Sequence, residues 1–292
     1  MSVSVLTRIE DSYLELSKSH KKIADYILEN YEKAAFLTAA KLGEATSISV
    51  STVVRFATSL GYEGYPEFQD ALRETIKGRL TANQRVEVAG TQIRDDDILT
   101  TVMQKDREMI RSTLDVISKE DFEKASKAIN KARRIYIVGV RSSAALASFM
   151  YFYFKMVFDD VRLIDSNSSS QMFEEIYRIG EEDVCIACSF PRYSKQVLSV
   201  VNFANDKGAT TIAITDTEDA PIAEAAGITL VAKSNMASFI DSLVAPLSLV
   251  NALIVSVARG NKTALKHNLA DLEEIWEKYD IYETMEDEHG AE

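Results

Sequence analysis

Two hydroxyl-rich stretches carry the residue types that a phosphate or another small anion needs. In Ile135-Tyr-Ile-Val-Gly-Val-Arg-Ser-Ser143 a short apolar run ends at Gly139, and Arg141, Ser142 and Ser143 follow at once. The run has the length and β-branched content of a strand, and the residues after it read as the start of a helix. Gly139 permits a tight turn, and a helix N-terminus offers free backbone N–H groups with a partial positive charge. Serine hydroxyls beside those groups complete a cradle for an anion. The second stretch, Cys188-Ser-Phe-Pro-Arg-Tyr-Ser194, makes the same passage from strand to helix and carries Ser189, Arg192 and Ser194. Each serine can also do no more than cap its own helix.

Other chemistries find less support. Cys185-Ile-Ala-Cys188 has C-x-x-C spacing, but within a strand residues three apart face opposite sides. Two core thiols are therefore expected, with neither a zinc site nor redox exchange. The three histidines, His20, His267 and His289, lie outside both loops. Proton transfer beside a sugar carbonyl needs a positioned base. Glu174 and Glu175 after the second strand are candidates, although an exposed helix face explains them equally well. The run Ser166–Ser170 reads as a loop near the pocket mouth or as a helix cap. Gly139 lacks the partners of a glycine-rich dinucleotide motif. The sequence thus assigns no catalytic residue, no metal and no cofactor.

The elements that must position these loops alternate along the second half of the chain. Apolar runs at 135–138, 161–164, 184–188, 211–215 and 228–231 are too short for helices and are separated by segments of helix length. That alternation predicts an α/β domain with a five-stranded, doubly wound parallel sheet flanked by helices. Ligands of such sheets sit at the carboxyl ends of the strands, where both serine loops fall. Two helices, 98–117 and 119–132, lead into the sheet, and 238–258 and 263–279 follow it. The stretch 238–258 is apolar enough to be weighed as a membrane span, but Asp241, Pro246 and Asn251 argue for a buried or subunit-interface helix.

Residues 1–77 read as short helices. Ser19 is the expected cap of a helix at 21–30, Thr38 of one through 45, and Ser49 of one at 50–60. Gly61 stops that third helix, and Pro66 opens a fourth. The stretch 38–56 has the pattern of a helix-turn-helix, with small Gly43 in the first helix and apolar Ile48, Val53 and Phe56 inside the pair. Val50, Ser51, Thr52 and Arg55 then point elsewhere, at the end of the second helix that enters a major groove in such motifs. Thr38, Lys41, Ser49, Val50, Ser51, Thr52 and Arg55 are the candidate DNA contacts, since hydroxyls and guanidinium groups reach base edges and phosphates. An ordinary small bundle is the plainer reading of the same spacing. Ser47 stands at the turn where a glycine would be expected.

The stretch Ser49-Val-Ser-Thr-Val-Val-Arg-Phe-Ala-Thr-Ser-Leu-Gly-Tyr-Glu-Gly-Tyr-Pro-Glu-Phe-Gln69 resembles the RpiR (MurR/RpiR) family of transcription regulators. The family pattern runs S-x-x-T-V-x-R-F and then L-G-[FY]-x-G-[FY]-x-E-[FL], and the likeness spans about 1–77. Residues 120–260 resemble the sugar isomerase (SIS) domain of those regulators. There Ser189 and Ser194 match the hydroxyl positions of an S-x-S-G-x-[ST] loop. Arg141 stands where a second glycine is common, and Pro191 and Arg192 replace a Ser-Gly pair. The two arginines can clamp a phosphate or carboxylate, close the pocket, or face a neighbouring subunit. The resemblance implies a repressor of carbohydrate genes that binds a double-stranded DNA operator as a homodimer or tetramer and responds to a sugar phosphate. A sugar-phosphate isomerase of the same fold is the alternative.

Composition fits this division. At 292 residues, 46% hydrophobic and 27% charged, the chain is long enough for two domains of ordinary soluble type. The expected boundaries are 1–77 for DNA binding, 78–97 for a linker, 98–279 for the α/β domain and 280–292 for an acidic tail. The net charge of −12 excludes a broadly basic nucleic-acid binder. Part of the excess lies in Asp280, Glu283, Glu286, Asp287, Glu288 and Glu292, and residues 1–80 are nearly balanced. A locally basic face therefore remains open. Two cysteines and an N-terminus without an apolar run suggest a reducing, cytoplasmic setting with no membrane partner.

Overall fold

A computed structural model describes residues 4–76, 81–89, 97–166, 168–235 and 240–282. Its first part packs six helices, α1 (Val5–Ser12), α2 (Lys18–Glu29), α3 (Tyr31–Ala34), α4 (Ala39–Thr46), α5 (Val50–Ser59) and α6 (Tyr65–Ile76). Ile9, Ile23, Ile27, Leu42, Val53, Phe56, Phe68 and Leu72 form their shared core. Apolar residues at helical spacing on each segment close this core. Ser17, not Ser19, caps α2, because Ser17 is extended and its hydroxyl accepts from the His20 N–H at 3.3 Å. Thr38 caps α4 as expected, accepting from the Lys41 N–H. Gly61 takes φ +89° just past α5, and Pro66 lies in the first turn of α6.

The stretch read as a linker is not all irregular. Residues Ala82–Ala89 form a helix, α7. Thr81 and Gln84 start it with a reciprocal pair of bonds: the Thr81 N–H donates to Gln84 Oε1 at 2.7 Å and the Gln84 N–H to Thr81 Oγ1 at 3.3 Å. This is a capping box, which stabilises a helix too short to persist alone. The rest of 78–96 lies outside the described residues, as does 283–292 of the expected acidic tail.

The second part begins with α8 (Ile98–Val116) and α9 (Lys119–Lys131) and continues through β1 (Arg134–Gly139), α10 (Ser143–Phe154), β2 (Val161–Ile164) and α11 (Ser169–Ile176). Then come β3 (Asp183–Cys188), α12 (Lys195–Asp206), β4 (Thr210–Thr215), α13 (Pro221–Ala225) and β5 (Ile228–Val231). The chain closes with α14 (Val244–Gly260) and α15 (Lys262–Lys278). The five strands are parallel, in the order β2-β1-β3-β4-β5. Ile135, Ile137, Val184, Ile186, Ile212 and Ile214 face one layer, made by α9, α10 and α14. Tyr136, Val138, Cys185, Ala187 and Ala213 face the other, made by α11, α12 and α13.

The alternation settles the cysteines. Cys185 and Cys188 are free, buried and in opposite layers. Burial pushes both thiols up to about 12, so neither is a nucleophile at neutral pH. The apolar helix read at 238–258 starts later, at Val244, with Pro246 in its first turn, where no N–H is needed. Residues 236–239 lie outside the described set. Among the described residues no single helix is long and apolar enough to cross a membrane.

Candidate functional site

The helix pair α4–α5 turns on two small-residue positions. A Cβ on Gly43 would lie 2.6 Å from the Ile48 carbonyl oxygen, so only glycine lets the turn pass this close to α4. Ser47 is left-handed at φ +57°, the conformation that made glycine the expected residue there. Val53 and Phe56 are buried, whereas Ser49, Val50, Ser51 and Arg55 are exposed and Thr52 is half-buried. Ser49 precedes α5, but its hydroxyl does not cap a backbone N–H. It bonds instead to Ser51 Oγ at 3.1 Å and Thr52 Oγ1 at 2.9 Å, and Arg55 Nη2 donates to Thr52 Oγ1 at 3.2 Å. Four polar side chains are thus held as one set on the outer face of α5. Thr38, just before α4, and Lys41 within it are exposed, and the Thr38 hydroxyl is committed to its cap.

His20 was not a sequence candidate, yet its ring meets Phe56 edge-on at 5.5 Å. Burial and then the Arg55 charge lower its pKa, which keeps the imidazole neutral behind the helix. The rest of the dense N-terminal motif holds structure. Tyr65 Oη donates to the Leu37 carbonyl at 2.7 Å and Gln69 Nε2 to the same oxygen at 2.5 Å, anchoring α6 at the entry to α4. Tyr65→Phe leaves that oxygen one donor, so a loss of about 0.5–1.5 kcal/mol is expected in a denaturant titration. Burial raises the Tyr65 phenol to about 12, so it remains a donor through the working pH range.

At the other end of the molecule the register sets Gly139 beside Cys188, which brings the two serine loops next to each other. A Cβ on Gly139 would come within 2.6 Å of the Ser143 carbonyl oxygen, so α10 starts hard against the strand. Ser143 is buried, and Ser142 and Arg141 are exposed. Ser189 is buried and its hydroxyl accepts from the Ser194 N–H at 3.3 Å. Ser194 caps α12, accepting from the Val197 N–H at 3.4 Å. Ser194 therefore does the plain capping job, and Ser189 also orders its own loop. Arg192 is exposed. Among the described residues neither the Arg141 nor the Arg192 side chain is in an ion pair or a hydrogen bond, although the Arg141 carbonyl accepts from the Ala144 N–H at 3.2 Å.

A cavity of about 810 Å³ lies beyond β2, lined by Asp165, Ser166, Ser168, Gln171, Glu174 and Glu175. The serine-rich run thus divides: Ser166 and Ser168 line this cavity, and Ser169 and Ser170 belong to α11. Gln196 Nε2 donates to Ser169 Oγ at 3.1 Å, which joins the start of α12 to the start of α11. Glu175 is half-buried rather than on an exposed face, and its Oε2 has no hydrogen-bond partner among the described residues. Burial, then the charges of Asp165 and Glu174, raise its pKa. Among the described residues no group of three His, Cys, Asp or Glu side chains could hold a metal ion.

Comparison with known proteins bears on both ends. Residues 3–78 match the model of the helix-turn-helix domain of the rpiR family, and residues 128–256 match that of the SIS domain. The chain belongs to the RpiR family. An HTH-type transcriptional regulator of Haemophilus influenzae is 29% identical over 79% of this chain and 80% of its own length. Another, from Caldanaerobacter subterraneus, is 26% identical over 93% and 96%. The sugar isomerase domain of an RpiR transcription factor from Sphaerobacter thermophilus covers 60% of the chain and 97% of its own, with a TM-score of 0.57 and 24% identity. Vibrio vulnificus NanR, solved with ManNAc-6P, covers 94% and 98% with a TM-score of 0.55 and 21% identity. These structures share the fold. The chain is an RpiR-family transcriptional regulator with a helix-turn-helix for DNA and an SIS domain.

Within this RpiR-family chain, Arg141 is left-handed at φ +56°, the backbone state in which glycine is at ease. Three residues near the site escaped sequence reasoning. Tyr193 Oη donates to Asp216 Oδ1 at 2.9 Å, and Asp216 is buried at the end of β4. Lys233, just past β5, donates from Nζ to the Asp216 carbonyl oxygen at 3.4 Å. Only the sheet order β3-β4-β5 brings these three together, although an Asp closing the run Thr211–Asp216 was a signal available in the sequence.

Proposed function

We propose that this regulator is a cytoplasmic repressor of carbohydrate genes, released or tightened on its operator by a sugar phosphate bound in the SIS domain. The observation that carries the reading is the adjacency of two strand-end loops that offer hydroxyls, a helix N-terminus and two uncommitted guanidinium groups. Gly139, Arg141, Ser142 and Ser143 on one loop and Ser189, Arg192 and Ser194 on the other suit a phosphate, with Arg141 and Arg192 as bidentate donors. The cavity beside Gln171 and Glu175 suits the hydroxyl-rich remainder of a sugar. ManNAc-6P in the Vibrio vulnificus relative names a ligand class to try first. On the DNA side, Thr38, Lys41, Ser49, Val50, Ser51, Thr52 and Arg55 form the contact face. Residues 1–77 are the DNA-binding unit, 78–97 the connection, 98–279 the effector domain and 280–292 an acidic tail. Phe152 on α10 and Val255 on α14 are exposed apolar residues suited to a contact between copies in a dimer or tetramer.

Glu175 favours a second reading, a sugar-phosphate isomerase, because a half-buried carboxylate with a raised pKa is what a general base requires. One experiment addresses both. The protein is heated with a panel of sugar phosphates and their unphosphorylated parents, and the sugars are examined by NMR after incubation. A ligand that binds only the folded state raises the melting temperature. The expected result is a rise with a phosphorylated sugar, lost in Ser143→Ala, and no aldose–ketose conversion. Conversion that Glu175→Gln stops would replace the regulator's effector site with an active site. A shift that survives Ser143→Ala would move the anion cradle elsewhere.

A further inference from the structure

We infer that a buried ion pair between α7 and the effector domain, Arg85–Asp241, is the clasp through which the SIS domain sets the placement of the DNA-binding helices. The inference rests on the effector reading above and adds the route by which the effector domain reaches DNA.

The short helix α7 touches both halves of the molecule. On one side Gln84 Nε2 donates to Glu32 Oε1 at 3.0 Å, and Glu32 belongs to α3 of the DNA-binding helices. On the other, Arg85 Nη1 meets Asp241 Oδ2 at 2.7 Å. The two side chains of this pair are only 8% and 12% exposed, across 156 residues of sequence. A charge pair so withdrawn from water adds little net stability, because desolvation offsets the attraction. What it does supply is definition: either partner left alone is costly, so the contact is made fully or broken fully. That is the property of a two-state contact.

Asp241 is also tied to the proposed effector loop. Its neighbour Ser242 donates its N–H to the Asn235 carbonyl at 3.0 Å and accepts at its own carbonyl from Ser234 Oγ at 2.9 Å. Ser242 Oγ donates to Asp106 on α8 at 2.5 Å. Lys233, next to Ser234, donates its N–H to Thr113 on α8 at 2.8 Å and reaches the Asp216 carbonyl with Nζ. Asp216 accepts from Tyr193, in the loop that carries Ser189 and Ser194. A path of hydrogen bonds and an ion pair, joined through the chain at Lys233–Ser234, Asp241–Ser242 and Gln84–Arg85, therefore runs from the effector loop by way of Asp216 to Glu32. Continuity alone does not establish coupling. The buried, all-or-none Arg85–Asp241 contact is the step at which two placements of α7 can be told apart.

The test uses the full-length protein as wild type, Asp241→Asn, the charge swap Arg85→Asp with Asp241→Arg, and Gln84→Ala. Gln84→Ala cuts the link to Glu32 without stranding a buried charge, so it remains informative if Asp241→Asn folds poorly. The DNA probe is a duplex selected from a random pool by the wild-type protein, and the effector probe is the sugar phosphate that raises its melting temperature. Asp241→Asn is expected to keep the melting shift, to exchange its 81–89 amide hydrogens at least tenfold faster, and to lose at least fivefold of the effector's change in DNA affinity. The charge swap is expected to recover both losses in part, and Gln84→Ala, which also opens the capping box of α7, to keep the melting shift while losing the affinity change and speeding 81–89 exchange. Wild-type exchange and wild-type response in Asp241→Asn and Gln84→Ala would overturn the clasp. If no sugar phosphate shifts the wild type, the effector reading fails, and the clasp is judged by exchange and effector-free DNA affinity. Either one altered in Asp241→Asn and recovered in the swap supports it, and both unchanged overturns it.

Discussion

Replacing Ser51 and Arg55 together by alanine is expected to remove sequence-specific DNA binding while leaving the protein as stable as before. Both side chains are exposed on α5, and alanine suits a helix, so a stability within about 0.5 kcal/mol of wild type follows. The loss in binding should be large, because the two residues sit in one polar set with Ser49 and Thr52 rather than acting alone. A good base-edge contact discriminates by about 1–3 kcal/mol, so two of them together amount to about 2–6 kcal/mol. At about 1.4 kcal/mol per factor of ten, that is roughly 30-fold to about 20,000-fold in affinity. Fluorescence anisotropy on a duplex selected by the wild-type protein measures it, and the same titration shows whether two protomers occupy each duplex. Repeating it across salt concentrations separates the contacts. If Arg55 reads a base, Arg55→Ala alone keeps the salt slope and relaxes the sequence preference; if it touches a phosphate, the slope falls by about one. Retained specific binding in the double variant would remove α5 from the groove.

The DNA-binding end was legible in the sequence because its information is local. Gly43, the left-handed Ser47 and the three-residue step from Val53 to Phe56 are all properties of one short segment. Local reading failed where two serines competed. Ser19 and Ser17 both precede an apolar helix, and the backbone of Ser17 decided which became the cap. It failed again at Ser49, whose hydroxyl turned to its polar neighbours on the exposed face. Helix α7 was hidden for another reason: eight residues with a weak apolar stripe carry little periodicity, and the Thr81–Gln84 box was its one local sign.

The α/β domain divides in the same way. Its strands announced themselves as apolar runs because parallel strands are buried on both faces. The neighbourhood of Ser143 and Ser189 followed from strand order alone. Tyr193, Asp216 and Lys233 meet only because β3, β4 and β5 are adjacent, and no spacing along the chain encodes that meeting. Glu175 likewise reads as one of two glutamates on a helix until the packing of α11 turns it inward beside Asp165. The candidate binding residues are visible as types. Those that hold them in place become visible only through the sheet.

Gly139→Val is expected to unseat both the SIS domain and the proposed anion cradle. No unusual φ explains the glycine; the constraint is space. A Cβ there would lie 2.6 Å from the Ser143 carbonyl oxygen, 3.0 Å from its carbon and 3.1 Å from the Ala147 Cβ. These atoms are backbone and first-turn positions of α10, which cannot rotate away as a flexible side chain would. Accommodating valine requires α10 to retreat from β1, and Ser143 travels with it. Overpacking of this kind costs about 1–3 kcal/mol, and more where backbone is the obstacle. The effector domain should therefore melt well below wild type. The helices of residues 4–76 have their own core, so their transition should stay in place. Gly139→Ala is the sharper instrument, with the same first clash and a smaller cost. It is expected to remain folded at room temperature but to lose the melting shift produced by a sugar phosphate. Ser143→Ala should lose that shift with no drop in stability, so the two variants separate the position of the helix from the chemistry of its hydroxyl. A Gly139→Ala protein that melts like wild type and still answers to the sugar phosphate would mean that α10 moves freely, and that its N-terminus does not anchor the ligand.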